Sequence, residues 1–406
     1  MAFLVCAAAA TVCAAESVLA AGGRVVAWGR NAEGQCTVPA SATNIVGIAA
    51  TAIQTLALRE DGTLLAWGSS PPAGASNLVR IAGDNFHAAG VRSDGTVGVW
   101  SSFPSVSAVP TGATNVVDVA VGNSHVLALR QDGRVIAWGE NAWGQLNVPA
   151  SATNVVQIDA GGVHGMALCA DGRLLVWGQI SYVPAAATNL MAIAATFDRC
   201  LALRRDGRVF EWFAYADLEV PPQATNVVAI SGGASHWLAL RQDGKVVAWG
   251  LSPEPETIVP SGLADVTAIA AGGNHSVALV GSTAPSVFVA PPGATVLAGD
   301  PLLFRGEPRG LRPVSRQWFL DGSAVAGATD STLFLDNVQA VHAGAYTLAM
   351  TRTTGTVTSD SHKLDVIESP PRFVGSERAV GLLTGQELRL APEVREGTLK
   401  EVLTVE

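Results

Sequence analysis

From residue 22 to about residue 282 the chain alternates short apolar runs with turn residues at a regular spacing. The stretch VDVAVGNSHVLALRQDGRVIAWG (117–139) shows the unit whole. It holds an apolar run, a Gly-x-x-His step (Gly122, His125), Leu-Ala-Leu, an Asp-Gly pair (Asp132, Gly133) and a Trp-Gly ending (Trp138, Gly139). Apolar runs of four to six residues between turn residues are too short for helices and predict β-strands. The Asp-Gly pair supplies the positive φ that a tight hairpin needs. A looser stretch such as GQLNVPASATN (144–154) leads to the next run. About four strands per unit are expected, the content of one propeller blade.

Tryptophan closes the unit at Trp28, Trp67, Trp100, Trp138, Trp177, Trp212 and Trp249, at spacings of 39, 33, 38, 39, 35 and 37 residues. Asp-Gly turns recur at Asp61, Asp94, Asp132, Asp171, Asp206 and Asp243. A period of this length means a solenoid, a propeller or an array. The array opens with RVVAWG (24–29) and no Leu-Ala-Leu half before it; it closes with VTAIAAGGNHSVALVG (266–281) and no Trp-Gly half after it. There are seven halves of each kind. The last half-unit can therefore complete the first, leaving no free sheet edge. The expected fold is all-β: a seven-bladed β-propeller over 22–283, closed by strands from both ends of the array.

The repeat resembles that of the regulator of chromosome condensation family, on LALRQDGRVIAWGENAWGQL (127–146) and its copies. The compact Ala- and Gly-rich units with VPA-x-x-TN linkers look most like the bacterial branch, which includes a secreted seven-bladed β-lactamase inhibitory protein. The resemblance implies a propeller. The chromatin binding and nucleotide exchange of the eukaryotic namesake do not carry over, for reasons of charge and export given below.

After residue 283 the composition changes. Residues 284–367 contain QWFLDG (317–322), STLFLDNV (331–338) and HAGAYTLAM (342–350). They resemble a bacterial immunoglobulin-like domain, with Trp318 as core tryptophan and Tyr346 as the tyrosine-corner residue. That family places a cysteine two residues after the tyrosine; here it is Leu348, opposite Leu-Leu-Phe at 302–304. An apolar pair in place of the disulfide is the expectation. Residues 368–406 read as the truncated start of a further β domain.

Charge and the N-terminus change the functional picture. Lys plus Arg number 25 against 34 Asp plus Glu, a net charge of −9. Phosphate neutralisation dominates nucleic-acid affinity, so no nucleic-acid partner is expected. Residues 1–21, opening MAFLVCAAAATVCAA, read as a signal peptide and short leader, although no Lys or Arg precedes the apolar run. The stretch is too short to span a membrane. An exported protein, secreted, periplasmic or at a bacterial cell surface, without membrane insertion after cleavage, follows. Of the remaining cysteines, Cys36, Cys169 and Cys200, buried free thiols are expected; a Cys169–Cys200 bridge between neighbouring blades stays open.

Candidate chemistry is sparse. His87, His125, His164, His236 and His275 share one repeat position, with Gln54 and Arg199 in the other two copies. Zinc ligands must converge on one ion, whereas equivalent positions in a propeller spread around a ring, so no metal is expected. Neither is a cofactor. There is no G-x-S-x-G elbow, H-E-x-x-H or phosphate loop, and no catalytic residue is assigned. The seven tryptophans read as packing between blades. What escapes the repeat is a set of aromatics in variable stretches: Phe103, Trp143, Tyr182 and Tyr215 after the Trp-Gly ends, and Phe86, Phe197 and Trp237 beside the histidine position. Loops on one rigid face can gather such residues into a binding surface. The expected function is non-enzymatic: an exported modular protein whose propeller loops bind a protein or glycan at the cell surface, with the immunoglobulin-like domain as spacer or adhesion module. A secreted enzyme inhibitor and a purely structural surface array are the alternatives.

Overall fold

A computed structural model describes residues 23–69, 75–213, 216–250, 255–281, 286–309, 315–352 and 355–368. The expected leader, the tail beyond Glu368 and Tyr215 lie outside the described residues. The described chain is all-β with many small antiparallel sheets, consistent with a propeller. In chain order, the first five sheets of the repeat region begin with the strands Ile45–Ala50, Leu78–Gly83, Val116–Val121, Val155–Ala160 and Leu190–Ala195; the sixth and seventh begin with Val227–Gly232 and Val266–Ala271. Each of these inner strands lies against the next, and the strand of the seventh sheet lies against that of the first.

The third sheet shows how the unit is built. Val116–Val121 pairs with His125–Arg130, which pairs with Val135–Gly139, all antiparallel. The hairpin between the second and third strands turns at Gly133, whose φ is +71°. The Asp132 carboxylate accepts the Arg134 N–H at 3.2 Å and so fixes the turn from its own side chain. The seventh sheet takes its third strand, Arg24–Gly29, from the start of the array; it pairs antiparallel with His275–Val280 over six residues. About four strands per unit were expected, but among the described residues only the fifth sheet has a fourth, Ala216–Leu218. The corresponding stretches at Pro39 and Pro149 run as successive turns, and the one leading to Pro110 holds the helical turn Pro104–Ser107; proline has no N–H to give a ladder.

The sheets are locked to one another at a position just before each inner strand. Asn44, Asn77, Asn115, Asn154, Asn189, Asn226 and Asp265 all have φ between 51° and 57°, a left-handed conformation that Asn and Asp tolerate best among residues with a side chain. The Asn115 carbonyl accepts the Gln131 N–H at 2.8 Å within its own sheet. The residue after it, Val116, donates its N–H to the Gly95 carbonyl of the preceding sheet at 3.0 Å. Val155 does the same to Gly133, and Val227 to Gly207. Between the sheets lie apolar side chains: Val91, Val119, Val126 and Trp138 share one buried cluster.

Residues 286–368 form a separate two-sheet unit. One sheet contains Ser286–Ala290, Leu302–Arg309 and Thr332–Leu335; the other is built on Ser315–Leu320, Gly344–Arg352 and His362–Ile367. Phe304, Trp318, Tyr346 and Leu348 are buried together between them. The Trp318 indole N–H donates to the Asp330 carbonyl at 3.0 Å, and the Tyr346 hydroxyl to the His342 carbonyl at 2.9 Å. Leu348 packs in the same core as Leu302 and Phe304, so apolar contact fills the place a disulfide would take.

Candidate functional site: the loop side of the repeat region

The repeat region has two sides. All its Asp-Gly hairpins and the starts of its inner strands lie on one, the turn side. The Gly-x-x-His steps, the Trp-Gly strand ends and the loops that follow lie on the other, the histidine side. The two-sheet unit is docked on the turn side. Leu303 donates its N–H to the Gln131 carbonyl at 2.7 Å, and Leu303 joins the buried cluster of Leu129 and Val155. Arg205 holds Asp330 through two hydrogen bonds, one of them 2.7 Å. Arg305 enters between the inner strands: it donates to the Val156 carbonyl at 3.0 Å and pairs with Asp118 at 3.2 Å. Arg80 pairs with Asp118 at 2.9 Å and with Glu307. Burial works to raise the Glu307 carboxyl, but Arg80 and Arg305 outweigh it and hold it down at about 2.

Behind Arg305 and Arg80 lies a polar cavity of about 230 Å³, lined by residues from the inner strands of all seven sheets. Two further carboxyls line it. Burial pushes Asp84 up to about 7, and Asp159 likewise, with the charge of Asp118 adding to the effect on Asp159. Asp159 still accepts the Ala160 N–H at 2.9 Å and the Ala195 N–H of the next sheet at 2.8 Å. Asp84 Oδ2 has no hydrogen-bond partner. The sequence signal for Asp84 was legible, since it stands where other units carry the glycine of Gly-x-x-His.

That glycine has a geometric cause. The histidine ring folds back over it: a Cβ on Gly161 would lie 2.2 Å from His164 Cε1, and one on Gly122 2.4 Å from His125 Cε1. The step is closed by the Gly161 N–H donating to the His164 carbonyl at 2.9 Å. On its far side the ring reaches the next sheet. His275 Nε2 meets the Thr55 hydroxyl at 2.9 Å, His236 the Ser276 hydroxyl at 3.0 Å, and His164 the Cys200 thiol at 3.3 Å. The residue at that point opposite His125 is Gly165, and both ring nitrogens of His125 are without a partner. Burial lowers His125 and His236 to about 4, His164 and His275 to about 3, and lowers His87 as well. Burial keeps these rings neutral, and all but His125 meet a group of the next sheet. No group of three or more His, Cys, Asp or Glu among the described residues is placed to hold one metal ion. Cys36, Cys169 and Cys200 are buried, and Cys169 and Cys200 are free thiols, unbridged to each other.

The tryptophans sit at the Trp-Gly ends with their indoles between sheets. Trp138 donates to the Val106 carbonyl, Trp177 to Gln145 and Trp28 to Glu256, each at 2.9 Å; Trp212 donates to Tyr182 at 3.1 Å. Trp249 donates instead to the Glu211 carboxylate at 2.9 Å. Trp67 is buried too, but its indole N–H has no partner. The equivalent carbonyl, that of Gln35, accepts the Thr55 hydroxyl at 2.8 Å.

Of the variable aromatics, four are exposed on the histidine side: Phe86 at 62%, Trp143 at 53%, Phe103 at 47% and Phe197 at 44%. Phe86 and Phe103 flank the His87 ring, at 6.2 and 5.1 Å between centroids. The Ser105 hydroxyl donates to Glu140 at 2.8 Å, which connects the Phe103 loop to the loop that carries Trp143. Tyr182 is half-buried against the core between the fourth and fifth sheets. Trp237 corrects the reading from sequence. It is 1% exposed, because the position after the histidine points into the gap between sheets, and it packs on Leu201 and Trp249. Three exposed residues escaped the sequence reading: Ile53, beside the Gln54 that replaces histidine, Phe213 at a strand end and Ile258 in a loop.

Comparison with known proteins adds family information. The model of the regulator of chromosome condensation (RCC1) repeat matches residues 116–145 and 227–253, in the third and sixth sheets. The chain therefore carries repeats of this type at these two sites. Among solved structures, the C-terminal domain of gp131 from bacteriophage phiKZ is 10% identical, with a TM-score of 0.32, covering 52% of this chain and 93% of that one. The tandem Ig repeats of Dlar are 14% identical with a TM-score of 0.19, covering 35% and 91%. The N-terminal four Ig domains of Dscam1 isoform 7.44 are 13% identical with a TM-score of 0.20, covering 85% and 70%. No conclusion about this chain rests on those three likenesses. A search of curated proteins finds no match.

Proposed function

We propose that the chain is an exported, modular, non-enzymatic protein: a closed seven-bladed propeller joined to an immunoglobulin-like domain, binding a protein or glycan at the cell surface through its loops. The cyclic order of the inner strands supports the closed ring. The buried Trp318 and the Tyr346 hydroxyl bonded to the backbone four residues upstream support the immunoglobulin-like reading. One observation carries the binding reading. Phe86, Phe103, Trp143, Phe197, Ile53 and Phe213, six of the seven large apolar side chains exposed among the described residues of the repeat region, lie on the histidine side, and the second unit covers the turn side. Exposed aromatics gathered at the loop end of a rigid scaffold are how binding surfaces are built. The acidic balance argues against nucleic acid.

The test is affinity capture. The full chain is immobilised and envelope and culture extracts are passed over it, with Phe86→Ser/Trp143→Ser in parallel. A partner retained by the parent and lost by a still-folded double variant is the expected result. Equal recovery from both would move the site off these loops, and no recovery from either would favour a structural array.

A further inference from the structure

The two sides of the repeat region differ in charge as well as in exposed apolar area. The turn side carries Arg59, Arg92, Arg130, Arg173, Arg204 and Arg241, one beside each of six Asp-Gly turns, so the turn aspartates there are matched by cations, with Lys245 in addition. The turns and loops of the histidine side carry Glu33, Glu140 and Asp198, and the edge strand Ala216–Leu218 of the fifth sheet, which starts from that side, brings Asp217 and then Glu219, against Arg30 and Arg199 among the described residues. Both of these arginines are already neutralised, Arg30 by Glu33 at 2.8 Å and Arg199 by the buried Glu211 at 2.9 Å. Among the described residues, Glu140, Asp198, Asp217 and Glu219 have no ion-pair partner, and Glu140 accepts the Ser105 hydroxyl. Each is close in sequence to an exposed aromatic: Glu140 to Trp143, Asp198 to Phe197, Asp217 and Glu219 to Phe213.

We propose that the histidine side takes a cationic protein segment, one in which lysine or arginine side chains are interspersed with apolar ones. The proposal rests on the loop-side reading above and names the chemistry of its partner. Carboxylates set among exposed aromatics lose water when any ligand covers the aromatics, and only a ligand that brings positive charge recovers that cost. A neutral glycan stacked on the same rings leaves four carboxylates unanswered. An anionic partner meets like charge, which is strongly unfavourable at an interface. The pairing of both local arginines leaves no free cation among the described residues of this side to compete with those of the partner.

A set of synthetic 15-residue peptides of equal apolar content, with net charge stepped from strongly negative to strongly positive, is titrated against the full chain by interferometry. A neutral oligosaccharide is run beside them. Affinity is expected to rise with positive charge and to fall as salt is raised, because screening shortens to about 3 Å at 1 M salt. Exposed ion pairs contribute roughly a factor of two to three each, so Glu140→Gln/Asp198→Asn/Asp217→Asn/Glu219→Gln should weaken the cationic peptides about 30-fold. Asp360→Asn/Asp365→Asn, on the second unit, should change nothing. Phe86→Ser/Trp143→Ser should weaken the same peptides with the salt dependence retained. Binding that depends on the aromatics but is flat in peptide charge, or that prefers the oligosaccharide, overturns the cationic partner and leaves the loop-side reading standing. Binding that responds to neither set of variants overturns both.

Discussion

Trp138 and Trp67 occupy the same place in their repeats and are buried to nearly the same degree, 7% and 8% exposed. They differ in one respect. The Trp138 N–H donates to the Val106 carbonyl at 2.9 Å, and the Trp67 N–H donates to nothing. Replacing each by phenylalanine removes the same six-membered ring contact and the same N–H, so the packing loss cancels in the comparison. At position 138 a hydrogen bond worth about 1 kcal/mol net disappears and the Val106 carbonyl is left unpaired. At position 67 phenylalanine removes a buried donor that costs about 1–3 kcal/mol when unsatisfied. Trp138→Phe should therefore be less stable than Trp67→Phe by about 2–4 kcal/mol. In urea denaturation of the full chain followed by far-UV circular dichroism, the midpoints should separate in that order with slopes unchanged. Trp177→Phe, which loses a bond of the same kind, should behave as Trp138→Phe does. Equal midpoints for positions 67 and 138 would refute the assignment of the conserved geometry to indole hydrogen bonding and leave only apolar packing.

Other outcomes follow from the same geometry. Trp138→Ala should cost about 3–5 kcal/mol, read as a lowered urea midpoint; an unchanged midpoint would contradict its core position. Gly161→Ala should be severely destabilising, because the new Cβ meets His164 Cε1 at 2.2 Å and the Thr196 carbonyl at 2.4 Å; a melting temperature equal to the parent's would contradict the close approach. His125, His164, His236 and His275 are held at about 3–4 when folded, below the ordinary 6.5, so the unfolded chain binds more protons in acid. Stability should be full above pH 6.5 and fall progressively as pH drops through 4, with proton uptake on unfolding; a urea midpoint constant between pH 7 and 4.5 would sink this. Asp84 is raised to about 7 from 3.8, so its burden is absent in acid and grows as pH rises between those values. Asp84→Asn should accordingly raise the midpoint at pH 8.5 and leave it nearly unchanged at pH 4.

Much of the architecture was legible because short-range chemistry repeats. Asp132–Gly133 and its copies mark hairpins by φ alone, and the Trp-Gly ends mark where strands stop. What was not legible depends on neighbours in space. The Thr-Asn ending of five of the seven linkers was visible as a pattern, but the role of that last position as a left-handed residue that sets the next strand against the Gly of the previous hairpin needs both sheets at once. Trp237 and Phe197 looked alike beside the histidine position. The first falls on the strand and points between sheets; the second falls in the turn and points out. Trp237 stands one residue after the histidine position and Phe197 two before it, and those three positions separate a strand from a turn. The expected fourth strand is missing from the third unit because the looser stretch 144–154 runs as turns through Pro149.

The strand Arg24–Gly29 leaves the ribosome, or any export pore, before the residues it pairs with. Trp28 must wait 228 residues for the Glu256 carbonyl that receives it. Through that interval the opening segment is an apolar strand with an unpaired edge, the kind of segment that pairs with the wrong chain. Nucleation from neighbouring sheets is local and fast, while this last pairing joins distant parts of the sequence and is slow. Assembly thus ends with a clasp, and anything that delays emergence of His275–Val280 lengthens the time for which a half-built array is adhesive. A chain cut just before residue 266 keeps six sheets and loses their fastening.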